Sequence, residues 1–196
     1  MTLPVKACDL EMLLPQTQCR QCGFDGCAQY AAAISEGRAP INRCAPGGAA
    51  GIKKLARAAG LPVCELDPEF GRELPYSTAR IRAQDCIGCA LCAAACPVEV
   101  ISGVAKNLFA VIEQACTGCG LCICACPVNA VDMIESNRTW TEQDALAARE
   151  RYLQAQQRRK RIKDAKTQSV QHDAAMRADI LAAALQKASA SSPKRN

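Results

Sequence analysis

The spacing of apolar and polar positions predicts three short helices in the first part of the chain. Each stretch has an apolar face and stops at or near a proline or glycine, where helices commonly end. We expect these helices over residues 9–14, 28–36 and 49–59. The segment 65–78 carries proline, glycine and acidic residues and is predicted to be a linker.

The last part of the chain is predicted to be helical with a weak apolar face. Glycine is absent from Trp140 onward, and alanine, glutamine, glutamate and arginine dominate. Thr139 and Glu142 have the spacing of a capping box, which predicts a helix reaching about residue 166. A second helix is expected over residues 170–188.

Residues 79–136 contain an internal repeat of short strands and cysteine-rich loops. Strands are predicted at residues 80–82, 100–102, 109–112 and 131–134. The fold class is therefore α+β. The predicted order is an upstream helical module (1–64), the linker (65–78), the repeat domain (79–136), a helical basic extension (137–188) and a disordered tail (189–196).

The repeat carries the pattern C-x2-C-x2-C-x3-C-P twice, thirty residues apart. Two such runs are the signature of bacterial two-cluster ferredoxins, with four thiolates for each [4Fe–4S] cluster. Zinc accounts for C-x2-C pairs but not for the third cysteine and the repeated proline. A disulfide framework is disfavoured by the odd number of cysteines, fifteen, and by the lack of a signal peptide. The runs are Cys86, Cys89, Cys92 and Cys96 before Pro97, and Cys116, Cys119, Cys122 and Cys126 before Pro127.

The fourth cysteine of each run is predicted to bind the cluster of the other run. A residue before proline is pushed out of the helical region, so Cys96 and Cys126 should leave the short helices that begin at Cys89 and Cys119. In two-cluster ferredoxins this cysteine ligates the other cluster. Gly88 and Gly118 allow the tight wrapping of each loop. We expect a pseudo-twofold domain in which one cluster takes Cys86, Cys89, Cys92 and Cys126, and the other Cys116, Cys119, Cys122 and Cys96.

A third cysteine set lies upstream, with the spacing C-x2-C-x4-C-x16-C. It consists of Cys19, Cys22, Cys27 and Cys44. Spacing alone fits a structural zinc site as well as an iron–sulfur cluster. The absence of histidine from the set slightly favours iron and sulfur.

The segments LLPQTQCRQCGFDGC and INRCAPGG, followed by the two runs, resemble the B subunit of the Rnf/Rsx-type electron transport complex over about residues 10–134. The resemblance implies that the upstream four cysteines hold a third [4Fe–4S] cluster. It implies a relay of single electrons between donor and acceptor proteins, with other subunits of a membrane-bound complex as partners. Such complexes work at the cytoplasmic face of the bacterial inner membrane, where they couple electron flow between ferredoxin and NAD to ion movement or keep a redox-sensing regulator reduced.

The start of the sequence differs from that family. Its membrane-bound members begin with a hydrophobic anchor helix, whereas MTLPVKACDLEMLLPQ is too short and too mixed to span a bilayer. We therefore expect a cytoplasmic protein whose contact with a membrane is at most peripheral. Iron-bound thiolates also require a reducing compartment.

Composition and charge agree with a protein built around clusters. Seven aromatic residues make an ordinary core thin, so the clusters should complete it. The net charge of +5 comes from residues 149–166, which hold eight basic and two acidic residues, while the other residues sum to −1. Three oxidised clusters would add about −6. We therefore expect no nucleic-acid partner.

Two other interpretations remain open on sequence grounds alone. The first is a free-standing ferredoxin that serves another oxidoreductase, and the second is a metal-stabilised binding module that uses its basic helix. No catalysis is expected from the chain alone, because an electron carrier needs no side chain that performs bond chemistry on a substrate. No nucleotide or flavin fingerprint is found either. Cys8 and Cys64 are predicted to be buried bystanders, Cys124 a bystander, and His172 a solvated side chain.

Overall fold

The computed structural model describes residues 5–190, and side chains as far as residue 186. Residues 5–153 belong to one compact unit and the described residues from 154 onward to another. Most of the tail predicted to be disordered lies outside the described residues. Within residues 5–190, no helix combines the length and the apolar character needed to cross a membrane.

The first three predicted helices are confirmed, with their ends shifted by no more than two residues. They are α1 (Ala7–Met12), α2 (Cys27–Ser35) and α3 (Gly48–Ala59). Helix α3 ends at Gly60, which has the left-handed φ of 67° that favours glycine as a helix stop. The buried core between these helices is made by Leu10, Tyr30, Ile34, Ile52 and Leu55.

The repeat region forms two separate antiparallel strand pairs. Strand β1 (Ser77–Ile81) pairs with β4 (Val131–Glu135), and β2 (Ile101–Gly103) pairs with β3 (Phe109–Val111). In β1 and β4, Ser77 lies opposite Glu135 and Ile81 lies opposite Val131. The four predicted strands are thus present. The first and last strands of the domain lie side by side, which closes residues 77–135 into a second core.

Two short helices follow the cysteine loops, α4 (Leu91–Ala95) and α5 (Leu121–Cys124). The prediction that they begin at Cys89 and Cys119 was wrong by two residues. The residues immediately before them, Ala90 and Gly120, have left-handed φ angles of 64° and 72°, so the helical backbone can begin only after them.

The last helix, α6 (Glu142–Ala190), is a single helix where two were predicted. No glycine or proline interrupts the sequence around residues 166–170, so the helix continues. The predicted capping box was also misplaced. Thr141 and Asp144 form it: the Thr141 amide donates to the Asp144 carboxylate (2.9 Å), and the Asp144 amide donates to the Thr141 hydroxyl (3.2 Å).

Contacts within residues 5–153 fasten the start of α6 to the first three helices. The Glu11 carboxylate binds the Arg149 guanidinium at 2.8 Å, and Lys54 Nζ lies 2.6 Å from Glu142. The predicted linker is ordered as well. It contains a 3-10 turn, Pro68–Phe70, whose Phe70 ring lies 4.4 Å from the Arg43 guanidinium. This segment therefore packs on the loop between α2 and α3.

Candidate iron–sulfur sites

The twelve predicted cysteines lie in three groups of four, and each group lines its own cavity. The three cavities are small and similar in size. The first cavity is lined by Cys86, Cys89, Cys92 and Cys126; the second by Cys96, Cys116, Cys119 and Cys122; the upstream one by Cys19, Cys22, Cys27 and Cys44. Each group holds the same four cysteines as one of the predicted ligand sets, and that they bind clusters stays a prediction.

The two downstream cavities exchange their fourth cysteines between the runs. Cys126 reaches the first cavity, where Ile81, Phe109 and Val131 are among the apolar neighbours. Cys96 reaches the second cavity beside Val98 and Val100. Cys96 leaves its helix in an extended conformation (φ −68°, ψ 117°), as expected for a residue before proline. Apolar walls of this kind limit the access of water to a bound group.

Gly88 and Gly118 stand where the cysteine loops pass closest to neighbouring backbone. Their φ angles are 67° and 69°, in the left-handed region. A Cβ atom at Gly88 would lie 2.6 Å from the Asn107 carbonyl oxygen, and one at Gly118 would lie 2.6 Å from the Ser77 carbonyl oxygen. Both conformation and close approach therefore require glycine here.

Backbone amides point at the sulfur atoms of the exchanged cysteines. The Val100 amide donates to Cys96 Sγ at 3.4 Å, and the Ala130 amide donates to Cys126 Sγ at 3.2 Å. The Ala79 amide donates to Cys116 Sγ at 3.5 Å. Hydrogen bonds to sulfur stabilise negative charge on a cluster and tune its reduction potential. The chain thus supplies the donors that a thiolate-bound cluster uses.

The upstream cavity is built where a loop meets two helix ends. Cys27 is the first residue of α2, and Cys44 precedes the 3-10 turn Ala45–Gly47. Cys19 and Cys22 come from the loop before α2. In that loop Gln16, Gln18 and Arg20 have left-handed φ angles of 56°, 54° and 63°, alternating with residues of negative φ.

Two buried glutamines and a tyrosine support this cavity, and the sequence interpretation missed all three. Gln18 accepts a hydrogen bond from the Cys27 amide (3.0 Å) and donates to Gln16 (3.0 Å); both side chains are 2% exposed. The Tyr30 hydroxyl donates to the Pro40 carbonyl (2.8 Å) and accepts from the Arg43 amide (2.9 Å). The only sequence signal for these supporting residues was that Gln16 and Gln18 flank Thr17 directly before Cys19.

Burial makes the cavities unfavourable for a thiolate that lacks a positive partner. It raises the pKa of Cys27 and of Cys122 to about 12 each, and that of Cys119 to about 11. Burial also raises the pKa of Cys22, against the opposing effects of a backbone hydrogen bond at Phe24 and the charge of Arg43. Iron is the kind of positive charge that such buried sulfur donors need. Four thiols around each cavity therefore fit a [4Fe–4S] cluster.

Single-ion sites and clusters place their sulfur ligands differently. Four sulfurs bound to one zinc at 2.3 Å lie about 3.8 Å apart, whereas the thiolates of a cubane bind different irons. In the part of the chain that the structure describes, no three His, Cys, Asp or Glu side chains are arranged to hold one metal ion. Each cysteine set instead lines a cavity of its own.

The cavities differ in how near they lie to the surface. Cys89 of the first cavity is exposed and Cys86 half-buried, whereas Cys116 and Cys122 of the second are buried. The residue after the first cysteine of each run shows the same contrast: Ile87 is 59% exposed and Thr117 only 3%. The first cavity therefore opens to solvent more than the second.

The three remaining cysteines line none of these cavities. The prediction that Cys8 and Cys64 are buried was wrong, because Cys8 lies in the first turn of α1 and Cys64 in the segment after α3, both exposed. Cys124 is exposed too, at the end of α5. His172 is exposed on α6, as predicted.

Comparison with known proteins supports the same picture. Residues 79–133 match the family model "4Fe-4S dicluster domain", and residues 14–46 match one described as "Putative Fe-S cluster". Proteins named as the B subunit of an ion-translocating oxidoreductase complex are similar over the cysteine-rich region. The one from Thiobacillus denitrificans is 52% identical over 103 residues, covering 53% of this chain and 55% of that protein.

The chain resembles the B subunit of ion-translocating oxidoreductase complexes. Further proteins of the same name agree: that of an Azoarcus species is 48% identical over 53% of this chain and 57% of its own length, and that of Hahella chejuensis is 50% identical over 53% and 52%. The resemblance inferred from the cysteine motifs is thus confirmed. The chain spans a little more than half the length of these relatives.

Proposed function

We propose that the chain is an iron–sulfur electron-transfer protein that holds three [4Fe–4S] clusters in the three cysteine-lined cavities. The observation that carries this proposal is the grouping of the cysteines: each expected set of four lines one cavity, including the exchange of Cys96 and Cys126 between the runs. When bound, the clusters supply one-electron redox chemistry. The chain holds them through thiolates, directs amides at their sulfurs and limits water.

We further propose that residues 79–136 form a pseudo-twofold ferredoxin domain. Positions thirty residues apart share unusual backbone angles: Gly88 and Gly118 have φ of 67° and 69°, and Glu99 and Asn129 have φ of 51° and 52°. Non-glycine residues seldom adopt positive φ, so this agreement supports equivalent halves. The upstream module, residues 1–64, precedes this domain and the helical extension follows it.

The working context proposed is a B subunit of an Rnf/Rsx-type complex. Three features support it: the order of the three cysteine sets, the identity near 50% to proteins of that name, and cavities in all three places. Its partners would be an electron donor, an electron acceptor and other subunits of the complex. It would act at the cytoplasmic face of the inner membrane.

A reductive titration tests the electron-transfer function. The anaerobically purified full chain is titrated with a low-potential reductant, and the reduced clusters are counted by EPR. Each [4Fe–4S] cluster takes one electron between its +2 and +1 states, so we expect about three electrons per chain. Uptake of about two electrons would overturn the upstream cluster. No uptake would overturn the function as a whole.

Complex membership requires a separate test. The full chain, tagged and expressed in its native host, should co-purify with membrane subunits after mild detergent extraction. The control is a chain in which Cys96 and Cys126 are both replaced by alanine. This double change disrupts both downstream sites and leaves the surface of α6 unchanged. A wild-type chain that is recovered alone, with its clusters intact, would contradict membership and favour a free-standing ferredoxin.

A further inference from the structure

A buried hydrogen bond joins the loop of the second cavity to the loop of the upstream cavity. The Thr117 hydroxyl donates to the Thr17 carbonyl oxygen at 3.0 Å, across 100 residues of sequence. Thr17 lines the upstream cavity and Thr117 lines the second. The two residues are 6% and 3% exposed. This bond therefore lies between two cavities and away from water.

The two threonines hold equivalent places next to the cysteines of their cavities. Thr117 stands two residues before Cys119, one of the second cavity's four cysteines. Thr17 stands two residues before Cys19, a cysteine of the upstream cavity. The bond thus joins two residues that each stand two positions before a cysteine of their own cavity.

Neighbouring contacts hold the two loops in this arrangement. The Trp140 indole donates to the Pro15 carbonyl at 2.9 Å. The Trp140 ring packs on Tyr76 with centroids 5.2 Å apart, and the Tyr76 hydroxyl donates to the Cys116 carbonyl. Two carbonyls of the segment before Cys19 are therefore bound by the part of the molecule that carries the second cavity.

The equivalent position in the first run has a different role. Ile87 stands thirty residues before Thr117, lines the first cavity and is 59% exposed. It has no hydroxyl, and the neighbouring Cys89 is exposed. The hydroxyl connection thus belongs to the second run, and the first cavity lies on the surface.

We propose that Thr117 is a positioning residue that sets the order of the relay: the upstream cluster exchanges electrons with the second cluster, and the second with the first, which meets the external partner. This inference rests on the proposed three-cluster function. Each exchange oxidises one cluster from +1 to +2 and reduces its neighbour from +2 to +1, so one electron moves and no proton is required.

The test uses EPR of the fully reduced holo-protein, because neighbouring paramagnetic clusters broaden and split each other's signals. Thr117→Val removes the hydroxyl at nearly constant volume, Thr117→Ser restores it, and Ile87→Val is the matched control in the other run. We expect loss or weakening of the coupling between the upstream and second clusters in Thr117→Val, and wild-type coupling in Thr117→Ser and Ile87→Val. Wild-type coupling in Thr117→Val, or equal weakening in Ile87→Val, would overturn the positioning role.

A second measurement tests the order even where Thr117→Val loses a cluster. Cys86→Ala removes a ligand of the first cavity and Cys122→Ala one of the second. The upstream signal should keep its coupling in Cys86→Ala and lose it in Cys122→Ala; the reverse result would overturn the order. The iron content of the wild-type chain separates this failure from that of the proposed function: about twelve irons, with the wrong coupling in the variants, refutes only the order, whereas about eight irons in the wild-type chain refutes the three-cluster function.

Discussion

Replacing Gly118 by alanine should weaken the second site far more than the same change at Gly120. Both glycines have left-handed φ, which costs an L-residue about 1–2 kcal/mol. At Gly118 the added Cβ would also lie 2.6 Å from the Ser77 carbonyl of β1, whereas nothing lies within 4 Å of a Cβ at Gly120. Forcing an extra methyl group into a packed site costs about 1–3 kcal/mol more.

The structure provides an internal check on the control. Ala90 occupies the place of Gly120 in the first run with a φ of 64°, so this conformation accepts alanine there. Gly120→Ala should therefore fold with its clusters intact. The total cost is about 2–5 kcal/mol for Gly118→Ala and about 1–2 kcal/mol for Gly120→Ala.

Cluster release makes unfolding irreversible, so the assay is a rate. The visible absorbance of the clusters is followed after transfer to a fixed denaturant concentration under anaerobic conditions. The close contact at Gly118 adds its own cost to that of the left-handed φ. If this additional cost lowers the activation barrier for unfolding by its full amount, Gly118→Ala loses its second cluster about 5- to 150-fold faster than Gly120→Ala. Equal rates for the two variants would show that the close approach to Ser77 carries no energetic weight, and would refute the reasoning from the Cβ distance.

Three further predictions concern the clusters and their support. Cys126→Ala should remove the cluster of the first run, and Cys96→Ala that of the second, each lowering iron content by about four atoms; EPR signals that vanish from the mutated run alone would contradict the exchange. Tyr30→Phe leaves the Pro40 carbonyl and the Arg43 amide without their hydroxyl partner, at a cost of about 1–3 kcal/mol; the upstream EPR signal should decay faster on warming, and unchanged decay would contradict this. Chelating the iron should expose amides of both cores to hydrogen exchange, because cysteines contribute to each core; persistent protection would show that the cores fold without metal.

The sequence contained enough information for the first three helices, the strands and the grouping of the cysteines, but not for the unbroken course of α6. Cysteine spacing and the proline after each run are local features, and they led to the same four-residue sets that line the cavities. The stop at Gly60 was equally local. Helix starts were less accessible, because Ala90 is an ordinary residue in sequence yet adopts the left-handed conformation that delays α4.

Contacts between distant segments could not be predicted. Nothing local indicates that Thr117 binds a carbonyl 100 residues away, or that Gln16 and Gln18 are buried beneath the upstream cavity. The threonine contact arises only when the two modules pack together, and the glutamines are held by hydrogen bonds to other parts of the upstream module. The same holds for Cys64, whose exposure follows from the path of the segment after α3 and not from its residue type.

The central claim is that the chain binds three [4Fe–4S] clusters, and metal analysis tests it most directly. Iron, acid-labile sulfide and zinc are measured together on the full chain purified without oxygen. The account predicts about twelve irons and about twelve sulfides per chain, without zinc. About eight irons and eight sulfides together with one zinc would contradict it, because the upstream cysteines would then form a structural zinc site.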